Sequence, residues 1–375
     1  MKIAVNTRFL LKNKLEGFGH FANETLKRIV LNNPTVQFYF LFDRPFDKSY
    51  IYASNVTPVV IPPPARHPVL WYIWFDISIA IWLKKNKPDL FLSPDGYACL
   101  NTQVKQICVF HDLAFEHFED GISKIQLKYM RKYTPKFAKK VNRLATVSQY
   151  SKNDIVQKYG IDPNKIDVVY NGANNLFKPL DNEEKTTIKK QYSQGFDYFL
   201  YVGSIHPRKN VATLLQAFDS FKKQTNSNYK LVLTGRMAWK TDKVNAIYQQ
   251  MEFKNDVLFT GYLSNEDLAK VTASAFAMCY VSLFEGFGIP IIEAMQSGVP
   301  VICSNTSSMK EIGEAATIQI NPTNVESICH AMKMLYSDTN LQQTLISKGF
   351  ERQALFSWNK TADLLWQSCL KTTQE

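Results

Sequence analysis

The amino-acid sequence predicts an α/β protein that folds as two domains, each a parallel sheet covered by helices. The chain has 375 residues, which is more than one average domain requires. Short apolar segments alternate with amphipathic ones, a pattern typical of strands that are buried on both faces. With 45% hydrophobic and 21% charged residues, the composition excludes a collagen, a coiled coil or a largely disordered chain.

The second half of the chain shows this alternation most regularly. Its strand candidates are residues 199–203, 230–234, 257–261, 276–282, 301–304 and 317–320, and its helix candidates are residues 211–221, 244–251, 264–274, 290–296 and 325–335. Gly298 and Pro300 mark the end of the fourth helix. Continuous apolar strands between helices predict a parallel sheet in this half.

The first half repeats the pattern less regularly. Its strand candidates are residues 3–7, 36–42, 56–61, 90–93, 106–110, 144–147 and 167–170, and its helix candidates are residues 21–31, 70–83, 122–140 and 152–159. Two consecutive series of β/α units predict two Rossmann-like domains. We place the domains at residues 1–178 and 179–350, because the polar segment 180–195 intervenes. Since open α/β sheets bind ligands at the carboxyl ends of their strands, two facing sheets would enclose a binding cleft.

The positive charge of the chain is confined to its first half. Lys and Arg number 44 against 33 Asp and Glu, a formal net charge of +11. Residues 1–178 contain 25 basic and 14 acidic residues, whereas residues 179–375 contain 19 of each. This asymmetry indicates an anionic partner for the first half. The alternative is a solvated basic surface that only aids solubility.

Cysteine usage and hydropathy indicate a cytoplasmic protein. The six cysteines are dispersed without a C-x-x-C pair, so neither a disulfide framework nor a zinc site is indicated. The first eight residues are too polar for the core of a signal peptide. The most apolar segment, residues 69–83, contains Asp76 and Ser78 and is shorter than the ~18–20 apolar residues of a membrane-spanning helix. We therefore expect it to form a buried or interfacial helix.

The segment from Glu285 to Glu293 carries the strongest signal of a binding site. It reads EGFGIPIIE and directly follows a strand candidate. Pro290 suits the first turn of a helix, in which we also expect Glu293. The N–H groups of such a helix terminus favour a phosphate, and the two carboxylates can accept hydrogen bonds from sugar hydroxyls. The alternative is a helix glutamate and a loop glutamate without function, and as a loop carboxylate Glu285 is expected to contribute little to stability.

Two cations follow the strand candidate 199–203. The segment from Gly203 reads GSIHPRKN and places Arg208 and Lys209 before a helix. Arginine binds phosphate as a bidentate fork and lysine as a point charge, so a diphosphate site is chemically reasonable here. By itself, this is a weak signal, because arginine and lysine pairs on loops are usually only solvated.

Weaker candidates lie in the first half. Gly17 and Gly19 fall between the first strand and the first helix, but lack the G-x-G-x-x-G spacing of a dinucleotide site. His111 ends a strand candidate, where it would face the predicted cleft, although a lone histidine is more often structural. The sequence contains no Walker A, G-x-S-x-G, H-E-x-x-H or Asp-x-Asp motif, and we expect no metal site.

Taken together, these segments resemble the family 4 retaining glycosyltransferases of the GT-B fold, which has two Rossmann-like domains facing a central cleft. The resemblance extends over nearly the whole chain and is most specific in SLFEGFGIPIIEAMQSGVPVICS (282–304) and LYVGSIHPRKN (200–210). Residues 351–375 look like the C-terminal helix of the family, which crosses back to the N-terminal domain. HDL (111–113) together with PRKN (207–210) is similar to the mannosyltransferase-like branch.

The resemblance implies a donor site in the C-terminal domain. That domain would bind a nucleoside-diphosphate sugar, either a GDP-sugar or a UDP-sugar, and the N-terminal domain would bind a glycan or a lipid-diphosphate-linked acceptor. Glu285 would contact the donor sugar and Glu293 the ribose. Arg208 and Lys209 would neutralise the diphosphate leaving group.

The resemblance also implies roles for backbone groups and for the first half. Gly203 and the backbone around Phe287 and Gly288 would belong to the donor site. Gly19 would let the first loop close on the diphosphate, and His111 would reach the hexose near its 6-hydroxyl. A hexose, with mannose as the first candidate, would be transferred with retention of its anomeric configuration, without a metal and without a protein nucleophile. Cell-surface polysaccharide or lipopolysaccharide synthesis would be the setting.

A basic segment in the first half suggests a further partner. Residues 124–143 contain eight basic and no acidic side chains, interleaved with apolar ones. A basic amphipathic helix of this kind can lie on an anionic membrane. We hypothesise that the protein docks peripherally on the inner face of the membrane. The alternative is a solvated basic face, in a helix that Pro135 would kink.

Other classes of function are compatible with parts of the sequence. Nucleotide-sugar epimerases and phosphorylases share the GT-B architecture, but the segment with two glutamates favours transfer. The basic composition also suits a polyanion-binding protein. No zinc-finger, RNP or helix-turn-helix signature appears, so we expect no nucleic-acid partner. An inactive scaffold is the third alternative, and the intact Arg208, Lys209, Glu285 and Glu293 argue against it.

Overall fold

The computed structural model describes residues 1–12, 15, 17–236 and 242–375. The chain divides into two compact units. The first unit consists of Met1–Asn171 and Ser357–Glu375, and the second of Gly172–Phe356. The first stretch of this unit therefore ends a few residues before the boundary proposed after Lys178. The C-terminal segment from Ser357 onward also belongs to the first unit.

The described residues of the first unit form a seven-stranded parallel sheet in the order β3-β2-β1-β4-β5-β6-β7. The strands are β1 (Lys2–Asn6), β2 (Gln37–Phe42), β3 (Val56–Val60), β4 (Leu90–Ser93), β5 (Gln106–Phe110), β6 (Arg143–Thr146) and β7 (Ile166–Val168). Strands β4 and β5 are buried along their whole length, because helices cover both faces of a parallel sheet. The seven strand candidates are confirmed, with ends that differ by at most two residues.

Helices of the first unit follow the same order. They are α1 (Phe18–Asn32), α2 (Pro68–Ile73), α3 (Ala80–Asn86), α4 (Ala114–His117), α5 (Lys124–Lys140) and α6 (Gln149–Tyr159), and the C-terminal α15 (Trp358–Gln374) joins them. A π-helical stretch, Trp74–Ile79, connects α2 to α3, so the apolar segment 69–83 is helical as predicted. Within the part of the chain that the structure describes, no helix is long and apolar enough to span a bilayer.

The C-terminal helix α15 is anchored to the first unit by specific contacts. The Thr361 hydroxyl donates to the backbone carbonyl of Tyr170 at 2.6 Å, and the Ser368 hydroxyl donates to Asp167 at 2.8 Å. The Trp358 ring packs edge-on against His20 at a centroid distance of 5.3 Å. Helix α15 is therefore an integral part of this unit.

The described residues of the second unit form a six-stranded parallel sheet in the order β10-β9-β8-β11-β12-β13. The strands are β8 (Tyr198–Val202), β9 (Lys230–Thr234), β10 (Val257–Gly261), β11 (Ala277–Tyr280), β12 (Val301–Ser304) and β13 (Ile318–Ile320). The helices are α7 (Asn182–Ser193), α8 (Val211–Thr225), α9 (Asp242–Gln250), α10 (Asn265–Ala273), α11 (Ile289–Gln296), α12 (Ser307–Gly313), α13 (Val325–Ser337) and α14 (Thr339–Gln353). The predicted alternation is confirmed.

Three helices of the second unit were not predicted, namely α7, α12 and α14. Helix α7 occupies most of the polar segment 180–195, which marks the proposed boundary between the two domains. It begins with a capping box in which Asp181 accepts from the backbone N–H of Glu184 at 2.8 Å and Glu184 accepts from that of Asp181 at 3.3 Å. Only Ile188 and Ser193 are buried. Such a mainly exposed helix lacks the apolar periodicity by which helices are recognised.

Candidate functional site

The carboxyl ends of β8 and β11 meet at the centre of the second sheet. The two strands are neighbours, with Phe199 beside Ala277. The chain runs from β8 outward to β9 and β10, and then returns to β11, so the strand order reverses between β8 and β11. Ligands of open α/β sheets bind at such a switch point. The loop after β8 carries Arg208 and Lys209, and the loop after β11 carries Glu285.

Glu285 forms an ion cluster with the two cations across these loops. Lys209 Nζ donates to Glu285 Oε1 at 2.6 Å, and Arg208 Nη1 lies 3.1 Å from Glu285 Oε2. Lys209 Nζ also donates to the Tyr280 hydroxyl at 3.2 Å, and Arg208 Nη1 donates to the backbone carbonyl of Phe284. The side chain of Glu285 is 10% exposed, against 14% for Lys209 and 22% for Arg208. Both cations therefore keep some access to solvent.

Two opposing effects set the pKa of Glu285. Burial by itself would raise it, but Lys209 and Arg208 outweigh burial and lower the pKa to about 2. Glu285 is therefore ionised at neutral pH, where it accepts hydrogen bonds and donates no proton. The expectation that Glu285, as a loop carboxylate, contributes little to stability does not fit the structure, because Glu285 is buried and balances two cations.

Close backbone packing shapes the loop after β8. Gly203 has a φ of 146° and Gly235, after β9, a φ of 141°, in a range that disfavours other residues. A Cβ on Gly235 would lie 2.0 Å from the carbonyl oxygen of Gly203. Glycine at position 235 thus lets the two loops touch, and Gly203 supplies the backbone conformation that this contact requires.

A tight turn positions the two cations. Pro207–Lys209 form one turn of 3₁₀ helix, in which the ring nitrogen Nδ1 of His206 accepts from the backbone N–H of Arg208 at 3.2 Å. Asn210 follows in the left-handed conformation, with a φ of 61°. Its side-chain amide donates to the carbonyl of Val281 at 3.1 Å. This bond joins the loop of the cations to the strand end that leads to Glu285.

Sequence reasoning missed three residues that support Glu285, namely Tyr280, Ser307 and Ser308. The Ser307 hydroxyl accepts from the backbone N–H of Glu285 at 3.0 Å. The Ser308 hydroxyl donates to the carbonyls of Glu285 and Phe287 at 2.8 and 2.9 Å. Both serines begin α12, directly beyond the carboxyl end of β12. Their position after a strand candidate was the signal available in the sequence.

Helix α11 begins beside the ion cluster. Gly288 precedes it with a φ of 102°, and Phe287 is buried against Phe356 at a centroid distance of 5.6 Å. Glu293 lies in the second turn, not in the first turn as predicted. Burial raises the pKa of Glu293 to about 8. No ion pair with a described residue opposes this effect, so the carboxyl group is mainly protonated at neutral pH.

His111 lies just beyond the carboxyl end of β5 in the first unit. Its Nε2 lies 2.9 Å from the carbonyl oxygen of Pro94. Because a carbonyl only accepts, Nε2 carries the proton and Nδ1 is left as an acceptor. The ring packs against Phe18 and Phe21 at centroid distances of 4.7 and 4.8 Å. Burial lowers the pKa of His111, against the opposing effect of the Pro94 carbonyl.

Gly19 lies in the first turn of α1, next to the Phe18 ring that contacts His111. A Cβ at position 19 would lie 2.5 Å from the carbonyl oxygen of Phe9. A glycine is therefore required by packing within the first unit. The structure thus brings Arg208, Lys209 and Glu285 into contact in the second unit, which also contains Gly203, Phe287, Gly288 and Glu293. His111 and Gly19 belong to the first unit.

The cluster offers chemistry for a ligand with an anionic part and a polyol part. Two cations beside a helix N-terminus favour phosphate oxygens. An ionised carboxylate and a second, neutral carboxyl group bind hydroxyls. Among the residues described, no group of three or more His, Cys, Asp or Glu side chains is placed to hold a metal ion.

Two family models match the chain, one in each half. The model of Glycosyltransferase Family 4 matches residues 32–175, and the model of Glycosyl transferases group 1 matches residues 182–352. The chain is 26% identical over 278 residues to the O-antigen chain mannosyltransferase B of Escherichia coli. This alignment covers 74% of this chain and 73% of the relative. The chain is 28% identical over 291 residues to the O-antigen chain mannosyltransferase RfbU of Salmonella typhimurium, covering 75% and 76%.

A solved structure shares the whole fold. The crystal structure of Anabaena HepE in complex with UDP-glucose matches with a TM-score of 0.75 at 17% identity, covering 99% of this chain and 100% of that one. This agreement confirms the predicted GT-B class of two Rossmann-like parallel-sheet domains. The two family models together account for most of the sequence. The chain therefore belongs to the family 4 glycosyltransferases and is a glycosyltransferase enzyme of the GT-B fold.

Proposed function

We propose that the protein transfers a hexose, with mannose as the first candidate, from a nucleoside-diphosphate sugar to a glycan or lipid-linked acceptor in cell-surface polysaccharide synthesis. The observation that carries the proposal is the cluster of Arg208, Lys209 and Glu285 at the switch point of the second sheet. The names of the two relatives, both O-antigen chain mannosyltransferases, support mannose and the polysaccharide setting.

The donor is proposed to bind in the second unit. Arg208 and Lys209 bind the diphosphate, with N–H groups around Gly203, Phe287 and Gly288 as further donors. Glu293 binds the ribose, and Glu285 binds a hydroxyl of the sugar. The UDP-glucose in HepE supports a nucleoside-diphosphate sugar as the class of donor. The mannosyltransferase relatives favour GDP-mannose within that class.

The proposed chemistry is electrostatic. Negative charge grows on the β-phosphate as the bond from the sugar to the diphosphate breaks, and preorganised cations stabilise this charge. Because Glu285 is ionised and already neutralises two cations, we assign it no role as a nucleophile or acid. The oxygen of the acceptor hydroxyl forms the new bond to the anomeric carbon on the face that the diphosphate leaves, and the leaving phosphate accepts the hydroxyl proton. The anomeric configuration is therefore retained. His111 is proposed to bind a hydroxyl of the donor hexose, Gly19 to let the first loop close on the diphosphate, and no metal is required.

A thermal-shift panel of GDP- and UDP-sugars, each with and without EDTA, tests the donor. Stabilisation by a single donor that persists in EDTA is the expected result. Transfer to a mannoside acceptor, followed by NMR of the product, then reports the anomeric configuration. Stabilisation that EDTA abolishes contradicts metal independence, and an inverted product contradicts the proposed route.

We also propose that the first unit docks on an anionic membrane. Exposed lysines form one stripe along α5, at Lys124, Lys128, Lys132 and Lys136. Exposed aliphatic side chains accompany them on α5 and the neighbouring helical segment 68–86, namely Val69, Ile77, Ile81 and Ile125. Val69 and Ile125 line one shallow depression together with Lys128 and Lys132. Lysines next to exposed aliphatic groups suit the interface of an anionic bilayer.

Vesicle flotation tests this docking. The protein should float with vesicles that contain 30% phosphatidylglycerol and remain in solution with purely zwitterionic ones. The double variant Lys128→Glu, Lys132→Glu should lose flotation, whereas Lys158→Glu, on the exposed part of α6, should retain it. Equal behaviour with both kinds of vesicle would rule the membrane proposal out.

A further inference from the structure

The loop between β11 and α11, residues 281–288, is irregular and yet buried. It forms neither helix nor strand, and all of its residues except Leu283 are buried. Backbone N–H and C=O groups that are removed from water need partners within the protein. The loop carries Glu285 and ends at Gly288, directly before α11. The groups that bind its backbone therefore also decide the geometry of the ion cluster and of the start of α11.

Four hydroxyl groups of the neighbouring segment, residues 304–308, bind this backbone. They belong to Ser304, Thr306, Ser307 and Ser308, and their partners are backbone groups of Ser282, Leu283, Glu285 and Phe287, at distances from 2.7 to 3.1 Å. Asn305 is the one residue of the segment without a hydroxyl. These side chains supply the hydrogen bonds that the irregular loop does not receive from a strand partner. Segment 304–308 therefore fixes the backbone of the loop over residues 282–287.

Ser307 holds its position in this segment at the cost of backbone strain. Its φ is 50°, in the left-handed region that disfavours residues with a side chain. Glycine adopts this conformation readily, but it has no hydroxyl to accept from the backbone N–H of Glu285. Such strain persists only where the surrounding contacts favour it. The hydrogen bond to Glu285 is one of these contacts.

The bond from Ser308 to the carbonyl of Phe287 also fixes an N–H group. In a trans peptide, the carbonyl of one residue and the N–H of the next point in opposite directions. Because the Phe287 carbonyl accepts from Ser308 at 2.9 Å, the N–H of Gly288 points away from α12. Within the described part of the chain, no group accepts from this N–H. It is therefore available to a ligand.

The side opposite to α12 is the side of the two cations. Strand β11 lies between β8 and β12, so the loop after it separates the segments that follow these two strands. On the β8 side, the backbone N–H of Leu283 donates to the carbonyl of Arg208 at 2.8 Å. A Cβ at position 288 would lie 3.4 Å from Cε1 of Tyr280, whose hydroxyl accepts from Lys209. The N–H of Gly288 thus faces the region of Arg208 and Lys209.

We propose that Ser307 and Ser308 are positioning residues of the donor site. Ser308 orients the backbone N–H of Gly288 towards the diphosphate through the carbonyl of Phe287, and Ser307 holds the backbone of Glu285. Ser308 is fully buried, so it acts on the diphosphate without touching it. This inference rests on the proposed donor binding and makes it more specific, because it names the side chains that orient a phosphate-binding N–H group.

NMR titration with GDP and with guanosine tests the proposal. Both probes present the same base and ribose, and only GDP presents the diphosphate. Ser308→Ala should weaken GDP binding about tenfold, the loss of one hydrogen bond to the diphosphate, and leave guanosine binding unchanged. UDP and uridine serve as the pair if the wild-type protein binds UDP more tightly. A variant that binds GDP as tightly as the wild-type protein would overturn the proposal.

The amide signal of Gly288 provides a direct readout. Phenylalanine labelled with ¹³C at its carbonyl and glycine labelled with ¹⁵N select the two Phe–Gly peptides of the sequence, Phe18–Gly19 and Phe287–Gly288. In the wild-type protein, the Gly288 amide should shift with GDP and not with guanosine. This measurement is decisive even if Ser308→Ala fails to fold, since an amide that GDP leaves unshifted contradicts the proposed contact.

Ser193 offers a matched control. It is also a fully buried serine, and its hydroxyl donates to two backbone carbonyls, those of Lys189 and Phe196, at 2.9 and 2.5 Å. It lies before β8, at the amino end of the sheet. Ser193→Ala should lower the stability about as much as Ser308→Ala and leave GDP binding unchanged. Equal losses of GDP affinity in the two variants would show that Ser308 is only structural.

Ser307→Gly separates positioning from stability. Glycine relieves the backbone strain while the hydroxyl that binds Glu285 is lost, so the variant should keep its midpoint of thermal unfolding and bind GDP several-fold more weakly. Unchanged GDP affinity would remove Ser307 from the proposal.

The outcomes also separate this inference from the proposed transferase function. If Ser308→Ala binds GDP like the wild-type protein while sugar transfer is observed, only the positioning proposal fails. If Ser308→Ala loses GDP affinity as expected but the wild-type protein transfers no sugar, the transferase proposal fails and the positioning role stands. Binding of neither GDP nor UDP by the wild-type protein would overturn both.

Discussion

Lys209 Nζ lies 2.6 Å from Glu285 Oε1, although 76 positions separate the two residues in the sequence. The contact pairs a carboxylate with a cation that we propose binds phosphate. Under that proposal, an incoming diphosphate must share or replace Glu285 as the partner of Lys209. Because Glu285 also pairs with Arg208, any change at one of the three side chains alters the electrostatic environment of the other two.

Glu285→Gln should reduce both transfer and stability. The variant keeps the shape of the side chain but leaves two largely buried cations without a counter-charge. We expect transfer to fall about 100-fold or more and the free energy of unfolding to fall by about 3 kcal/mol. Denaturant unfolding and initial-rate assays measure the two effects. Glu326→Gln, on the exposed face of α13, is the matched control, and equal stability of the two variants would contradict the ion cluster.

Acid should weaken the wild-type protein more than this variant. The pKa of Glu285 in the folded state, about 2, lies below the ordinary value of about 4.3 for glutamate. Its ionised form therefore stabilises the fold above pH 4.3, and this contribution is lost as pH falls from 4.3 towards 2. Urea midpoints of the wild-type protein and Glu285→Gln should converge over this range. Parallel curves would show that Glu285 has no lowered pKa.

Lys209→Ala should weaken donor binding as well as the rate. The substitution removes one charge-assisted contact, so the donor Kd should rise about tenfold. Thermal-shift titration with GDP-mannose and initial rates report the two quantities. Lys270→Ala removes an exposed lysine from α10 and should leave donor affinity unchanged. An unaltered Kd in Lys209→Ala would exclude the diphosphate role.

Raising the pH should weaken the folded state through Glu293. With a pKa of about 8 in the folded state and about 4.3 when unfolded, the folded protein binds an extra proton between these values. Its stability therefore falls as pH rises from 4.3 to 8. Glu293→Gln, which cannot ionise, should remove this component of the pH dependence. If both proteins show the same slope between pH 5 and 8, the raised pKa is refuted.

His111 should remain neutral at a lower pH than an ordinary histidine. Burial lowers its pKa, and the Pro94 carbonyl fixes the proton on Nε2. In ¹⁵N NMR, the His111 ring should show a protonated Nε2 and an unprotonated Nδ1 at pH 7. Its titration midpoint should lie below the ~6.5 of a free imidazole. The opposite tautomer would contradict the proposal that Nδ1 accepts a hydrogen bond from a sugar hydroxyl.

Much of the fold follows from local patterns in the sequence. A strand buried on both faces needs a continuous apolar segment. Each of the thirteen strands of the described residues could therefore be predicted from a short apolar segment in the sequence. Helices such as α8 bury one face and show the matching periodicity. Helix α7 buries only Ile188 and Ser193, and its polar surface made it look like a linker. Its capping box at Asp181 and Glu184 was a readable but overlooked signal.

The candidate site could be predicted as a set of residue types but not as a geometry. The segments around Arg208 and Glu285 contain the cations, carboxylates and glycines of a phosphate and sugar site. These two segments meet only because β8 and β11 are neighbours in the sheet, and the strand order of the folded sheet decides this adjacency. Tyr280 and Ser307 were missed for the same reason, because nothing near them in the sequence shows what they contact.

The amino-acid sequence by itself determined the α/β class, the two sheets and the glycosyltransferase family, and it named the candidate residues of a donor site. The tertiary structure alone decided that Glu285 is buried between two cations that lower its pKa, that desolvation raises the pKa of Glu293, and that Arg8, Arg44 and Arg66 line one cavity. The physical reason is that periodicity and motifs describe contacts within a few residues of the chain. Charge state and cavity shape depend on distances and burial between segments that only the folded chain brings together.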